Sequence, residues 1–158
     1  MSRTSVRPSC SAMGERNVLV EQPRFDEINV GDQLPALQLP PISRTTLALY
    51  AGASGDHNPI HIDVDFARQA GMSDVFAHGM LSAAYLGRLL TGWVPQQRIR
   101  QVTLRFTGIT SLEDAPVCTG RVVDKFEHDG EKRVRVELRS TVQDGVDKVV
   151  GEAIVALI

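Results

Sequence analysis

Residues 79–93 read GMLSAAYLGRLLTGW and predict a long helix that is buried on most sides. Apolar side chains cover nearly the whole circumference of this segment, namely Met80, Leu81, Ala83, Ala84, Tyr85, Leu86, Leu89, Leu90 and Trp93. A surface helix carries one apolar stripe, whereas apolar residues on all sides indicate a helix within the core. Gly92 and Pro95 end the segment. We therefore expect the other elements to surround this helix.

The sequence after this helix predicts an antiparallel sheet. Four segments favour strands, the first by clean alternation: residues 101–106, 117–126, 134–142 and 149–157. Asp129-Gly130 and Asp144-Gly145 separate the last three, and such dipeptides are typical of hairpin turns. A helical first half followed by these strands predicts the α+β class, with the sheet curled around the one buried helix.

The sequence before the helix predicts three shorter elements. Residues 33–39 alternate weakly up to two prolines and favour an edge strand. Ser43 is an N-cap candidate for a helix over residues 44–53 that Gly55 ends, and Asp63 is a second N-cap candidate, for a short helix.

The composition favours one cytoplasmic domain. Residues 1–22 lack periodicity and predict a flexible N-terminal tail, so we expect the domain to occupy residues 23–158. Seventeen basic and nineteen acidic residues give a net charge of −2 with no like-charge run, so we expect no nucleic-acid or membrane partner. We also expect no secretory signal peptide, because no apolar run follows the early basic residues.

Two neighbouring motifs carry the chemistry. Residues 56–61 read DHNPIH and place a carboxylate, Asp56, and an imidazole, His61, on one loop that Pro59 stiffens. Gly79 then opens the long helix, whose first N–H groups lack partners within the helix. Asp56 by itself is more often a turn former. A general acid/base pair beside a helix N-terminus suits the addition of water to an activated double bond.

These motifs resemble a known family. Residues 50–61 (YAGASGDHNPIH), 76–81 (FAHGML) and 102–107 (VTLRFT) are similar to the MaoC-like (R)-specific enoyl-CoA hydratases and 3-hydroxyacyl dehydratases. The likeness covers roughly residues 25–158 and implies a hotdog fold, in which a curved sheet wraps a central helix. It also implies a dimer with acyl-thioester sites at the subunit interface. One difference is His57, which takes a position that is often aromatic in the family.

The resemblance implies reversible hydration of a trans-2-enoyl thioester to the (R)-3-hydroxyacyl thioester. Asp56 and His61 become the catalytic acid/base pair, and which of the two is the base stays open. The N–H of Gly79 would donate to the thioester oxygen, although a glycine there also permits close packing.

Three further residues are substrate-binding candidates, each with a structural alternative. Asn58 alternatively holds the loop through hydrogen bonds. Ser82 alternatively bonds back to a carbonyl of its own helix. His78 alternatively packs or caps.

We expect no metal and no separate cofactor. His57 and His61 have the four-residue spacing of a helical ligand pair, but Pro59 between them opposes a regular helix. Coenzyme A or acyl-carrier pantetheine enters as part of the substrate, since the thioester itself acidifies C2.

Two other functions compete with this prediction. A hotdog acyl-CoA thioesterase often uses a carboxylate on the central helix, but no Asp or Glu occurs between Asp74 and Glu113. A non-catalytic subunit of a heteromeric dehydratase is disfavoured by the intact Asp56, His61 and Gly79 set. A homodimer and a hotdog heterodimer both remain open, as do acyl length, carrier and direction.

Overall fold

A five-stranded antiparallel sheet curls around one long helix in this computed structural model, which describes residues 22–158. The predicted tail over residues 1–22 thus falls almost wholly outside the described residues. The elements in chain order are β1 (Leu37–Gln38), α1 (Arg44–Ser54), α2 (Val64–Gln69), α3 (Gly79–Trp93), β2 (Ile99–Phe106), β3 (Val117–His128), β4 (Glu131–Thr141) and β5 (Asp147–Ala156). The strand order is β1-β3-β4-β5-β2, so β1 and β2 are the two edges.

The inner face of the sheet supplies one side of the core. Val136 at the centre of β4 pairs with Val122 on β3 and Ala153 on β5, and all three are buried. Because side chains alternate along a strand, their neighbours point outward. The outer face accordingly carries charged pairs such as Arg135–Glu152, at 2.9 Å. The predicted antiparallel pairing of β3, β4 and β5 is confirmed.

The helix α3 fills the concave side of the sheet, and its bounds match the predicted residues 79–93. Leu86 and Leu90 are fully buried in the same core as the sheet residues. The prediction that Met80 and Ala84 are buried is wrong for the single chain, in which Met80 is 60% exposed. The sheet is open rather than closed, so one stripe of the helix is not covered by any other part of residues 22–158.

The shorter elements near the site also follow the predicted signals. Ser43 Oγ accepts the Thr46 N–H at 3.1 Å as the N-cap of α1, and Gly55 ends that helix with a φ of +74°. The predicted strand over residues 33–39 is an edge, but it is regular only at Leu37–Gln38. Pro35 explains the interruption, since proline has no N–H to donate. Between residues 22 and 158, no helix has the length and apolarity needed to cross a bilayer.

Candidate active site

The loop of residues 55–61 brings the predicted acid/base pair together. Asp56 Oδ1 accepts the Asn58 N–H at 3.3 Å, and Asn58 Oδ1 accepts the Ile60 N–H at 3.1 Å. The chain then makes one 3₁₀ turn over Pro59–His61, which proline at the first position favours. As a result, a carboxylate oxygen of Asp56 and a ring nitrogen of His61 lie within 4.8 Å of each other. The observed role of Asn58 is to hold the loop; a substrate contact stays a prediction.

His61 is held in one tautomer by a backbone carbonyl. Its Nδ1 lies 2.8 Å from the Phe76 carbonyl oxygen, and because a carbonyl only accepts, Nδ1 carries the proton. The Nε2 lone pair is therefore the basic atom of the ring. Burial lowers the pKa of His61 below 6.5, and the nearby His78 lowers it further, while the Phe76 carbonyl and Asp56 oppose the shift. A half-buried neutral imidazole of this kind can accept a proton at neutral pH.

His78 lies behind this pair and is almost fully buried, with 1% of its surface exposed. Its Nε2–H donates to the backbone carbonyl of Asp56 at 3.1 Å. Its ring centroid lies 4.0 Å from that of His61, with 32° between the planes, and 4.9 Å from the ring of Tyr50. Its Nδ1 is buried and has no hydrogen-bond partner among the described residues. Such an orphaned polar atom costs about 1–3 kcal/mol.

Gly79, the first residue of α3, presents a free backbone donor. Its N–H has no hydrogen-bond acceptor within residues 22–158. The positive end of the helix dipole reinforces a donor at this place. The close-packing alternative is also observed, because a Cβ at Gly79 would lie 3.3 Å from the Phe106 ring. The glycine thus combines a free donor with a tight aromatic contact.

A small, mainly apolar cavity of about 180 Å³ adjoins this first turn of α3. Its lining includes Phe76, Gly79, Ser82, Phe106, Ile109 and Thr110. Ser82 Oγ lies 3.2 Å from Thr110 Oγ1, so the hydroxyl meets another side chain and not a carbonyl of its own helix. Two larger grooves of about 480 Å³ contain neither Gly79 nor a residue of the 55–61 loop, whereas the small cavity contains Gly79 but no residue of that loop. The small cavity is therefore the one that adjoins the free donor.

Sequence reasoning missed Phe76 and Thr110. Phe76 orients His61 through its backbone carbonyl, which any residue would supply, so its identity gives no signal. Thr110 lies far from the motifs in sequence and reaches Ser82 only through the fold.

One group of side chains within residues 22–158 has the composition of a metal site, namely Asp56, His61 and His78. One nitrogen of each ring is already bonded to a backbone carbonyl, which leaves one nitrogen per ring for a cation. His57 is not a member of this group, and the absence of a metal stays a prediction.

The sequence matches the family model described as the MaoC like domain over residues 27–144. It is 31% identical over 121 residues to the fatty acid synthase subunit beta of Saccharomyces cerevisiae, covering 70% of this chain and 6% of that protein. It is 35% identical over 71 residues to an (R)-specific enoyl-CoA hydratase of Rhodospirillum rubrum, covering 45% of this chain and 48% of that protein. The matched segment thus spans less than half of either relative.

Among solved structures, the unliganded R-hydratase PhaJ1 from Pseudomonas aeruginosa superposes with a TM-score of 0.72 and 31% identity. The superposition covers 85% of this chain and 85% of that one. This likeness confirms the predicted hotdog fold.

Proposed function

The chain belongs to the MaoC-like dehydratase family, and from this we propose that it catalyses reversible hydration of a trans-2-enoyl thioester to the (R)-3-hydroxyacyl thioester. The observation that carries the proposal is the Asp56 carboxylate and His61 imidazole, within 4.8 Å of each other, held close to the N-terminus of α3. Two groups that exchange protons and one donor for a developing oxyanion are the parts that this addition needs.

In the hydration direction, the free Nε2 of His61 takes a proton from a water molecule whose oxygen attacks C3. The C2–C3 π electrons move toward the thioester carbonyl, and the Gly79 N–H donates to the resulting enolate oxygen. C2 then receives a proton from the Asp56–His61 pair as the carbonyl re-forms. The pair gains one proton and returns one, so it ends as it began. Addition is syn because both groups lie on one side of the substrate.

The pair is best treated as one acid/base unit. The Phe76 carbonyl leaves Nε2 of His61 unprotonated, which favours His61 as the base that deprotonates water in hydration. Asp56 then transfers the proton at C2. In the reverse direction, the same atoms remove the C2 proton and protonate the departing hydroxyl. Coupled groups share their titration, so measured pKa values will belong to the pair.

No separate cofactor is required in this proposal. The thioester carbonyl acidifies C2, and the pantetheine of coenzyme A or an acyl carrier protein enters with the substrate. Protein treated with a metal chelator should therefore keep its full rate. A rate that falls on chelation and returns with a divalent cation would contradict this part of the proposal.

The relatives suggest the substrate class. One is named as an (R)-specific enoyl-CoA hydratase and another as a fatty acid synthase subunit. We propose an acyl thioester of fatty-acid or related acyl metabolism. In this proposal, the cavity beside Gly79 and Ser82 binds part of the substrate. Asn58 and His78 lie near the reacting carbon atoms of the bound substrate or behind them.

We also propose that the active form is a dimer of hotdog subunits. Among the described strands, the edge strand β2 pairs only with β5, and it leaves Val102 at 44% and Phe106 at 50% exposure. Next to it, Met80 is 60% exposed on the uncovered stripe of α3. An apolar, unpaired edge is a liability that a partner subunit would remove. Native mass measurement of the purified chain, alone and with candidate partner chains, will distinguish monomer, homodimer and heterodimer.

The deciding experiment is a hydration assay over a chain-length series of trans-2-enoyl-CoA esters. The expected result is loss of the conjugated enoyl absorbance and formation of the (R)-3-hydroxyacyl product. Release of free thiol would indicate a thioesterase instead. Absence of both signals, with coenzyme A and acyl-carrier substrates alike, would refute the proposal for the isolated chain.

A further inference from the structure

Within residues 22–158, two long-range hydrogen bonds connect the 55–61 loop to the rest of the fold. Phe76 holds the His61 end through Nδ1, and His78 holds the Asp56 end through its carbonyl. Within the described part of the chain, the other hydrogen bonds of this loop join residues no more than four positions apart. Both hydrogen bonds are made by residues 76–78, the short segment that leads into α3.

We propose that His78 is a positioning residue that fixes Asp56 relative to His61 and Gly79 by gripping the Asp56 backbone carbonyl. This inference rests on the proposed function and goes beyond it. His78 bonds to the Asp56 backbone, packs against the His61 imidazole and immediately precedes Gly79, so one residue contacts or adjoins all three parts of the site. The role is distinct from touching the substrate.

The hydrogen bonding of His78 supports this role. It occupies the N-cap position of α3, where Ser, Thr, Asp and Asn are preferred, yet its side chain makes no capping bond. The acceptor that it meets is the Asp56 carbonyl, so Nε2 must carry the proton. The opposite nitrogen, Nδ1, is buried and has no hydrogen-bond partner in the part of the chain that the structure describes. An apolar side chain would avoid that orphan, so the Nε2–H bond is what a histidine contributes here.

The ring of His78 also limits the movement of its neighbour. Its centroid lies 4.0 Å from that of His61, so the two imidazoles pack against each other. Removing the grip would leave Asp56 with local turn bonds alone, in a loop whose residues 55–59 are exposed. A displacement of about 1 Å at a reacting group can cost about 10²-fold in rate.

Two substitutions separate the hydrogen bond from the packing. His78→Phe keeps a buried ring but has no donor, whereas His78→Gln offers an amide N–H near the place of Nε2. With trans-2-butenoyl-CoA as substrate, we expect His78→Phe to lower kcat about 10- to 100-fold with KM nearly unchanged. His78→Gln should recover most of that loss. Circular dichroism and thermal melting of both variants establish that they fold.

Two kinetic outcomes would overturn the proposal. One is a folded His78→Phe variant with the kcat of the unaltered protein. The other is a folded His78→Gln variant as slow as His78→Phe, which would show that the donor contributes nothing beyond the ring.

A spectroscopic test does not depend on activity. The ring ¹⁵N chemical shifts of His78 in the full chain should show the Nε2–H tautomer, and a proton on Nδ1 would overturn the inference. If the unaltered chain hydrates no enoyl thioester, the proposed function fails. The spectrum still decides whether His78 donates a hydrogen bond to the Asp56 carbonyl. The two failures are therefore distinguishable.

Discussion

His61 donates its Nδ1–H to the carbonyl oxygen of Phe76 across 2.8 Å, and this bond leaves Nε2 as the basic nitrogen of the ring. The donor and acceptor are 15 residues apart, on the loop after α1 and on the segment before α3. The ring is half-buried beside Asp56 and His78, so its protonation state depends on burial as well as on these neighbours. A dependence of activity and stability on pH follows.

Activity should fall in acid as His61 becomes protonated. Burial holds the pKa of this imidazole below 6.5, and the charged and titratable groups that face it are Asp56 and His78. Hydration uses the neutral ring, so kcat/KM should rise with pH along an acid limb whose midpoint lies below pH 6.5. A pH–rate profile with trans-2-enoyl-CoA measures this. An acid limb centred clearly above pH 6.5 would contradict the assignment.

The stability of the folded chain should also decrease in acid. Because the folded pKa of His61 is lowered, the unfolded chain binds more protons between the folded pKa and 6.5. The free energy of unfolding should therefore rise with pH through that window and decline as the pH drops through it. Urea titrations of the unaltered protein and of His61→Gln, at matched pH values, isolate this contribution. Identical pH dependence in the two proteins would contradict it.

Removal of the imidazole should abolish most of the turnover. His61→Ala is expected to lower kcat at least about 10²-fold, the usual contribution of a general acid or base. The matched control is His128→Ala, since His128 is an exposed residue paired with Asp129 at the β3–β4 hairpin. The control should keep full activity. Near-normal turnover in folded His61→Ala would refute the catalytic role.

The carboxylate can be tested with little change in shape. Asp56→Asn keeps an oxygen that can accept the Asn58 N–H and leaves the carbonyl bonded to His78. Loss of the proton-carrying group alone should lower kcat at least about 10²-fold. Asp65→Asn, an exposed carboxylate on α2, serves as the control. If Asp56→Asn is folded and loses less than about threefold, the carboxylate carries no proton in the reaction.

The fold was predictable where local signals and periodicity agree. Apolar residues around nearly the whole of α3 predicted a core helix, and the structure has it at Gly79–Trp93. Asp129-Gly130 predicted a hairpin, and both residues have positive φ angles, of 52° and 74°. The uncovered stripe at Met80 was not predictable, because it depends on how far the sheet curls around the helix.

The sequence could predict only those parts of the site that depend on the identity of a side chain. The sequence indicated Asp56, His61 and Gly79, and in the folded chain all three lie beside residues 76–78, which lead into α3. The bonds that orient them go to the carbonyl oxygens of Phe76 and Asp56, and a carbonyl has the same chemistry in every residue. Such partners become visible only when the fold brings distant backbone atoms together.

The contact between Gly79 and Phe106 gives the last prediction. In Gly79→Ala the new Cβ would lie 3.3 Å from the Phe106 ring, which is tighter than ordinary van der Waals contact, so the ring or the helix start must shift. We expect kcat/KM to fall about tenfold. A tenfold change corresponds to about 1.4 kcal/mol, which is near the lower end of the free-energy cost of overpacking a side chain. Gly92→Ala is the control on the same helix, because within residues 22–158 no atom beyond its chain neighbours and the local helix backbone lies within 4 Å of its Cβ position. Adding Phe106→Leu to Gly79→Ala should restore part of the loss, since a smaller side chain relieves the crowding. Unchanged kinetics in folded Gly79→Ala would show that neither the donor geometry nor the aromatic contact limits the reaction.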